Sequence, residues 1–282
     1  MKLRLYAMQT DALADQELFD KVLQRIPVWR RQIVQERRGD ADRRLSVAAG
    51  LLLTHALTEI GYDWESIDRM QLLKGEYGKP YLMTSERQIN EKRGVFAIST
   101  TSKISTISTT SNISKTLNND CDRNSEIYFN LSHSGVWAIC SISSVENGCD
   151  VERIRDKTHG IAKRFFPEEE QEWINQADSD AARRERFTRL WTLRESYVKA
   201  TGKGMSEDLK SFLIRPEERR IFLLGQMGQE GQQTELQSAR QAEIQAAGYY
   251  LKEYQIAEGY CCAACSVEDA FEDQIHIINQ PE

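Results

Sequence analysis

Gly148-Cys149-Asp150-Val151-Glu152 and Trp191-Thr192-Leu193-Arg194-Glu195-Ser196-Tyr197-Val198-Lys199 decide how this 282-residue chain is read. The first stretch sets an acidic pair in an apolar, strand-like context. Strand residues i and i+2 leave from one face, so Asp150 and Glu152 point the same way. The second stretch has helical spacing, with Leu190, Trp191, Arg194 and Val198 on one stripe. Glu195 and Lys199, four residues apart, stand one above the other on its half-sheltered shoulder. Three carboxylates and an ammonium that can converge suit a divalent cation carrying a pyrophosphate. Carboxylate oxygens hold the cation and the ammonium offsets phosphate charge.

Working outward, the helix that bears Glu195 starts near Ala181 and ends at Gly202 and Gly204. Before it, Pro167 followed by Glu168, Glu169 and Glu170 reads as a helix opening, with acids at the positive end of the dipole. Strands are predicted around 127–131, 136–142 and 148–154. Two more fall at 212–214 and 220–224, and a closing hairpin at 249–256 and 260–267 turns at Glu258-Gly259. At the other end, Met1 to Met8 alternates like a first strand, and residues 12–38 are helix-prone and become basic. Asp40 is placed as the N-cap of a helix over 41–59, with Leu45, Ala48, Leu52 and Ala56 as its buried stripe. Gly75 to Pro80 reads as a loop, followed by a short apolar step at Tyr81-Leu82. Residues 84–126 change character: serine recurs every third position from Ser99 to Ser114, and apolar residues are too sparse for a core. They read as an exposed insertion without catalytic role, and 225–248 as a Gln-rich excursion.

The length suffices for one large or two modest domains. A net charge of −6 gives no global basic field for nucleic acid. No apolar run reaches membrane-spanning length and the N-terminus lacks a signal-peptide core, so a soluble, cytoplasmic chain is expected. The six cysteines lie mostly in apolar, strand-like runs and read as buried reduced thiols.

Taken singly, each element has an ordinary explanation. Asp-x-Glu is common on solvated strands, and Glu-x-x-x-Lys is a standard helix-surface ion pair. Their order along the chain changes the balance. Gly78-Lys79-Pro80, Asn130-Leu131-Ser132-His133-Ser134, Gly148 to Glu152, Arg164-Phe165-Phe166-Pro167-Glu168-Glu169 and Trp191 to Lys199 follow in turn. This series resembles the 4′-phosphopantetheinyl transferase family, in its larger, surfactin-synthetase-activating type. The likeness covers most of residues 1–215, apart from 84–126.

The resemblance implies an α+β fold: a pseudo-dimer of two similar α/β halves in one chain, about 1–144 and 145–282, with the active site in the cleft between them. It implies an enzyme that moves the phosphopantetheine arm of coenzyme A onto a serine of an apo carrier protein, with Mg²⁺, releasing adenosine 3′,5′-bisphosphate. Asp150, Glu152 and Glu195 would hold Mg²⁺, and Lys199 would bind phosphate. Ser132 and His133 would contact the cofactor's phosphates, Lys79 and Pro80 would line the adenine or phosphate pocket, and a basic residue near Arg31, with Arg43, would meet the 3′-phosphate. Glu195 is the candidate base. The expected partners are apo carrier proteins and coenzyme A, with neither nucleic acid nor membrane, and a monomer is expected. Arg194 stands where the family commonly has lysine, which keeps charge but not geometry. The insertion must loop outward to leave the cleft clear, so its deletion should spare activity. A magnesium-dependent nucleotide hydrolase is the second reading, disfavoured because no Gly-x-x-x-x-Gly-Lys-Ser/Thr loop is present. A non-catalytic binding module for coenzyme A or carrier is the third.

Overall fold

A computed structural model describes residues 1–75, 77–83, 127–156, 159–204, 207–224 and 245–279. The serine-rich insertion at 84–126 lies outside them, as does most of the Gln-rich stretch. The fold is mixed α+β and centres on two sheets. In the first, β4 (Tyr128–Ser134) pairs antiparallel with β5 (Trp137–Ser143), and β5 pairs with β1 (Arg4–Gln9). β11 (His276–Ile277) adds to β1 in parallel, which gives the order β11-β1-β5-β4. The chain therefore returns to its first strand after completing the second sheet.

In the second sheet, β6 (Asn147–Arg153) is an edge, followed by β10 (Tyr260–Ser266), β9 (Gln245–Tyr254), β8 (Arg220–Leu223) and β7 (Phe212–Arg215). The closing hairpin forms as its alternation predicts, with β9 reaching back to Gln245 within the stretch read as an excursion. β2 (Gln71–Lys74) and β3 (Pro80–Met83) form a separate two-stranded ribbon around the Gly78-Lys79 turn. Only its apolar step was legible beforehand, because strands this short carry little periodicity.

The first half also holds α1 (Gln16–Gln24), α2 (Val28–Gln35), α3 (Asp40–Glu59) and α4 (Trp64–Arg69). In α3, Leu45, Ala48, Leu52 and Ala56 are buried against the first sheet. Asp40 is not its cap. Gly39 holds that position without a side-chain bond, and Asp40 is the first helical residue, where its charge still meets the dipole. In the second half, α5 (His159–Phe165) and α6 (Glu168–Asn175) precede α7 (Asp180–Thr201). The Ser179 hydroxyl accepts from the Ala182 amide to start α7, and Gly202, left-handed at φ 72°, ends it.

α7 lies directly on β6. A methyl group at Gly148 would collide with the Ser196 carbonyl and the Ala200 amide, so glycine is what allows the two backbones to touch. This close seat brings the α7 shoulder over the acidic face of β6. Among the described residues no helix is long and apolar enough to cross a membrane.

Candidate active site

β4 and β6 run side by side at the junction of the two sheets, yet neither ladders with the other. Side chains join them. Along β4, Asn130, Ser132 and Ser134 alternate onto one buried face. The Asn130 carbonyl oxygen accepts the Cys149 amide at 3.2 Å. Ser132 Oγ donates to Asp150 Oδ1 at 2.7 Å, and Ser134 Oγ donates to Glu152 Oε2 at 2.8 Å.

Asp150 is the focus. Lys199 Nζ reaches its Oδ1 at 2.6 Å and also donates to Ser132 Oγ at 2.9 Å. Asp150 Oδ2, though buried, accepts nothing from the described residues. A buried carboxylate oxygen left without a donor is costly, so it marks a place made for something else. Glu195 stands one turn before Lys199, where helical spacing predicts it, and both are half-buried. Burial, with the charge of Asp150, pushes the Glu195 carboxyl up, and Glu152 adds to the shift. Burial and Asp150 push Glu152 up as well, against the pull of the Ser134 hydrogen bond. Burial alone would lower Lys199, but the charge and hydrogen bond of Asp150 outweigh it and hold its ammonium above the usual range. Glu195 feels the charges of both Asp150 and Glu152, and Glu152 that of Asp150, which places the three acids in one region.

They do not form a closed cage: no three His, Cys, Asp or Glu side chains among the described residues stand ready to hold a metal ion. Magnesium does not need one, because it is commonly bound by one or two carboxylates with the remaining positions taken by phosphates and water. Hard oxygen donors, an orphaned Asp150 Oδ2 and mutually repelling acids fit such an ion.

A cleft of about 650 Å³ opens beside these groups. Glu195 and Lys199 line one side and Tyr77, Gly78, Lys79 and Pro80 another, with Phe165, Trp191 and Leu209 giving it an apolar wall. Lys79 contributes its stem, while its ammonium turns inward to the carbonyls of Ala200, at 2.7 Å, and Asn147, at 3.1 Å. It thus caps the C-terminal end of α7, and burial lowers its pKa.

The other sequence candidates separate. Ser132 and His133 leave opposite faces of β4, Ser132 buried with Asp150 and His133 on the outer face, its surface open to solvent although protein packs around its ring closely enough to desolvate it. Burial lowers the His133 pKa, and the positive charges of Lys199 and Arg37 lower it further. Arg31 is committed elsewhere: its guanidinium bonds Ile26 O at 2.8 Å, Gln24 O at 2.8 Å and Gln24 Oε1 at 3.0 Å. Arg43 lies over the Phe19 ring with its buried Nε unpaired. Arg30 is buried, gives one bond to Ser46 O at 3.2 Å, and burial with the charge of Arg37 lowers its pKa to about 10. Arg37, which the sequence reading passed over, is therefore the basic residue of this region whose charge reaches both His133 and Arg30. Ser134 was also missed, although its signal was legible: three small polar residues at alternate positions of an otherwise apolar strand.

A sequence model described as the 4′-phosphopantetheinyl transferase superfamily matches residues 146–265. The chain is 35% identical over 142 residues to the 4′-phosphopantetheinyl transferase gsp of Aneurinibacillus migulanus, covering 50% of this chain and 52% of that protein. It is 32% identical over 158 residues to the 4′-phosphopantetheinyl transferase Sfp of Bacillus subtilis (strain 168), covering 56% of this chain and 62% of that one. A shorter likeness, 30% over 90 residues and 29% of each chain, reaches the mouse L-aminoadipate-semialdehyde dehydrogenase-phosphopantetheinyl transferase. The matched region thus spans between half and two thirds of the first two relatives. The family match runs from just before β6, through α7, to the end of β10, so it contains the acidic strand and the helix seated on it. Through these residues the chain is similar to the 4′-phosphopantetheinyl transferase superfamily, and it spans less than two thirds of the length of either relative, gsp or Sfp.

Proposed function

We propose that this protein transfers the 4′-phosphopantetheine arm of coenzyme A to a serine of an apo carrier protein, releasing adenosine 3′,5′-bisphosphate. The observation that carries this reading is Asp150, whose Oδ1 is engaged by Lys199 and Ser132 while its buried Oδ2 accepts nothing among the described residues. Asp150, Glu152 and Glu195 would hold a magnesium ion. When bound, that ion neutralises charge on the pyrophosphate. The two halves, about 1–144 and 145–282, would act as a pseudo-dimer in one chain, with coenzyme A in the cleft between them and no need of a second subunit.

The protein's own groups then take definite roles. Lys199 presents its ammonium to the pyrophosphate from beside Asp150, offsetting charge as the leaving group departs. His133, with the positive charge of Arg37 that reaches it, would meet the 3′-phosphate, together with Arg43. Pro80 and the stem of Lys79 offer a flat wall to the adenine. Glu195 accepts the proton of the carrier serine, and its raised pKa makes it a better base. The serine oxygen forms a bond to the β-phosphorus as the bridging P–O bond breaks, and the electron pair leaves on adenosine 3′,5′-bisphosphate.

The test is to incubate the protein with coenzyme A, Mg²⁺ and a panel of apo carrier proteins and to weigh the carriers intact. A gain of one phosphopantetheine, abolished by EDTA or by Glu152→Ala, is the expected result. No gain on any carrier, with coenzyme A binding intact, would leave a binding module instead. Release of nucleotide without carrier would favour a hydrolase.

A further inference from the structure

We infer that Ser134 is a positioning residue that sets the Glu152 carboxylate for cation binding, an inference that rests on the transferase reading above. Ser134 is 5% exposed and sits where β4 meets β6 without a ladder. Its Oγ accepts the Arg153 amide at 3.1 Å, which directs its own hydrogen away from that side. The hydrogen goes to Glu152 Oε2 at 2.8 Å. One hydroxyl thus ties the backbone just after Glu152 and one oxygen of its side chain to the same point on the neighbouring sheet. A carboxylate held through one oxygen keeps a single rotamer and leaves Oε1 for a ligand. Ser132 likewise donates to Asp150 two residues earlier, but its Oγ accepts from Lys199 and not from the β6 backbone, so only Ser134 ties an acid and the strand that bears it to one point. A purely structural serine would need only to accept the amide. The second bond, to a side chain that faces the site, separates positioning from ordinary edge satisfaction.

The experiment compares the full-length wild type, Ser134→Ala, Ser134→Thr and Ser141→Ala. Ser141 is a buried serine of β5 that bonds Asn147 and not the acids, so it reports what losing any buried hydroxyl does. Binding of Mn²⁺ is followed by electron paramagnetic resonance in the presence of coenzyme A, alongside the Mg²⁺ concentration that half-saturates transfer and the melting temperature. Ser134→Ala should weaken Mn²⁺ binding and raise the half-saturating Mg²⁺ by about tenfold, the effect common for a residue that orients a metal ligand. Its kcat at saturating Mg²⁺ should recover towards wild type. Ser134→Thr should restore cation affinity, and Ser141→Ala should lower only the melting temperature. Unchanged cation affinity in Ser134→Ala, or an equal loss in Ser141→Ala, overturns the inference. If the wild type binds Mn²⁺ but transfers nothing, the transferase reading falls while the binding comparison still decides the role of Ser134. A wild type that binds no Mn²⁺ overturns both.

Discussion

Arg194 and Lys199, five residues apart on α7, each pair with a carboxylate from another element, and the two pairs are built differently. Arg194 is sealed, with side-chain exposures of 1% and 2% for it and Glu170. Two parallel bonds of 2.8 Å join the guanidinium to Glu170, and further bonds reach the carbonyls of Leu209 and Phe212. Glu170 Oε1 also accepts the Ile214 amide at 2.7 Å. The rings of Phe166 and Phe212 lie against the guanidinium. The pair pins α6, α7 and β7 together, and Arg194 also holds the carbonyl of Leu209, a residue that lines the cleft. Lys199 is 27% exposed while Asp150 is 3% exposed, and one oxygen of Asp150 is left over. A satisfied ion pair is architecture, whereas a pair whose lysine lines a cleft and whose carboxylate keeps one oxygen unpartnered among the described residues has the features of a candidate binding site.

The largest effect should come from the sealed pair. Arg194→Met strands Glu170 in the core and should cost about 3–5 kcal/mol of stability, read by chemical denaturation. Arg194→Lys should recover only part, because an ammonium cannot make the two parallel bonds and the two carbonyl bonds together. If Arg194→Met were as stable as wild type, the contrast between the two pairs would collapse. Lys199→Met should do the reverse. Transfer should fall about 10²–10³-fold, as when one charge-stabilising donor is removed. Stability should change less than in Arg194→Met, because water can reach the opened site. Equal losses of stability in both variants would make Lys199 another structural anchor.

A smaller effect separates stability from activity by pH. The folded-state values of Glu152 and Glu195 are raised, so the folded protein holds their protons more tightly than the unfolded chain does. What these groups add to stability is fully present below the ordinary glutamate range and is lost as pH rises through their raised values. Their ionised forms, however, are those that can hold a cation or take a proton. Glu195→Gln should therefore gain stability relative to wild type as pH rises through that window, while wild-type transfer climbs over the same range. A stability difference that stays flat with pH would contradict the raised value.

The same contrast explains what the sequence could and could not tell. The face shared by Asp150 and Glu152 and the stacking of Glu195 on Lys199 follow from strand and helix periods, so the placement of these candidate residues was legible. Arg194 fell correctly on the buried stripe, but its partner did not show. Glu170 reads locally as one of three acids at a helix start, and only the approach of α6 to α7 selects it. Arg31 misled for a similar reason: a basic residue in a basic stretch is available only if no carbonyls claim it, and Ile26 and Gln24 do. His133 and Ser132 were read as one element because they are adjacent, yet a strand sends neighbours to opposite faces.

If Asp150 and its neighbours are open for a cation that carries the pyrophosphate of coenzyme A, that cation must strengthen coenzyme A binding. Titrating coenzyme A by calorimetry into wild type and Asp150→Asn, each with Mg²⁺ or with EDTA, tests it directly. The account predicts that Mg²⁺ tightens wild-type binding by about tenfold or more, equivalent to about 1.4 kcal/mol, and that this gain disappears in Asp150→Asn. Equal affinity for coenzyme A with and without the cation in wild type would contradict it.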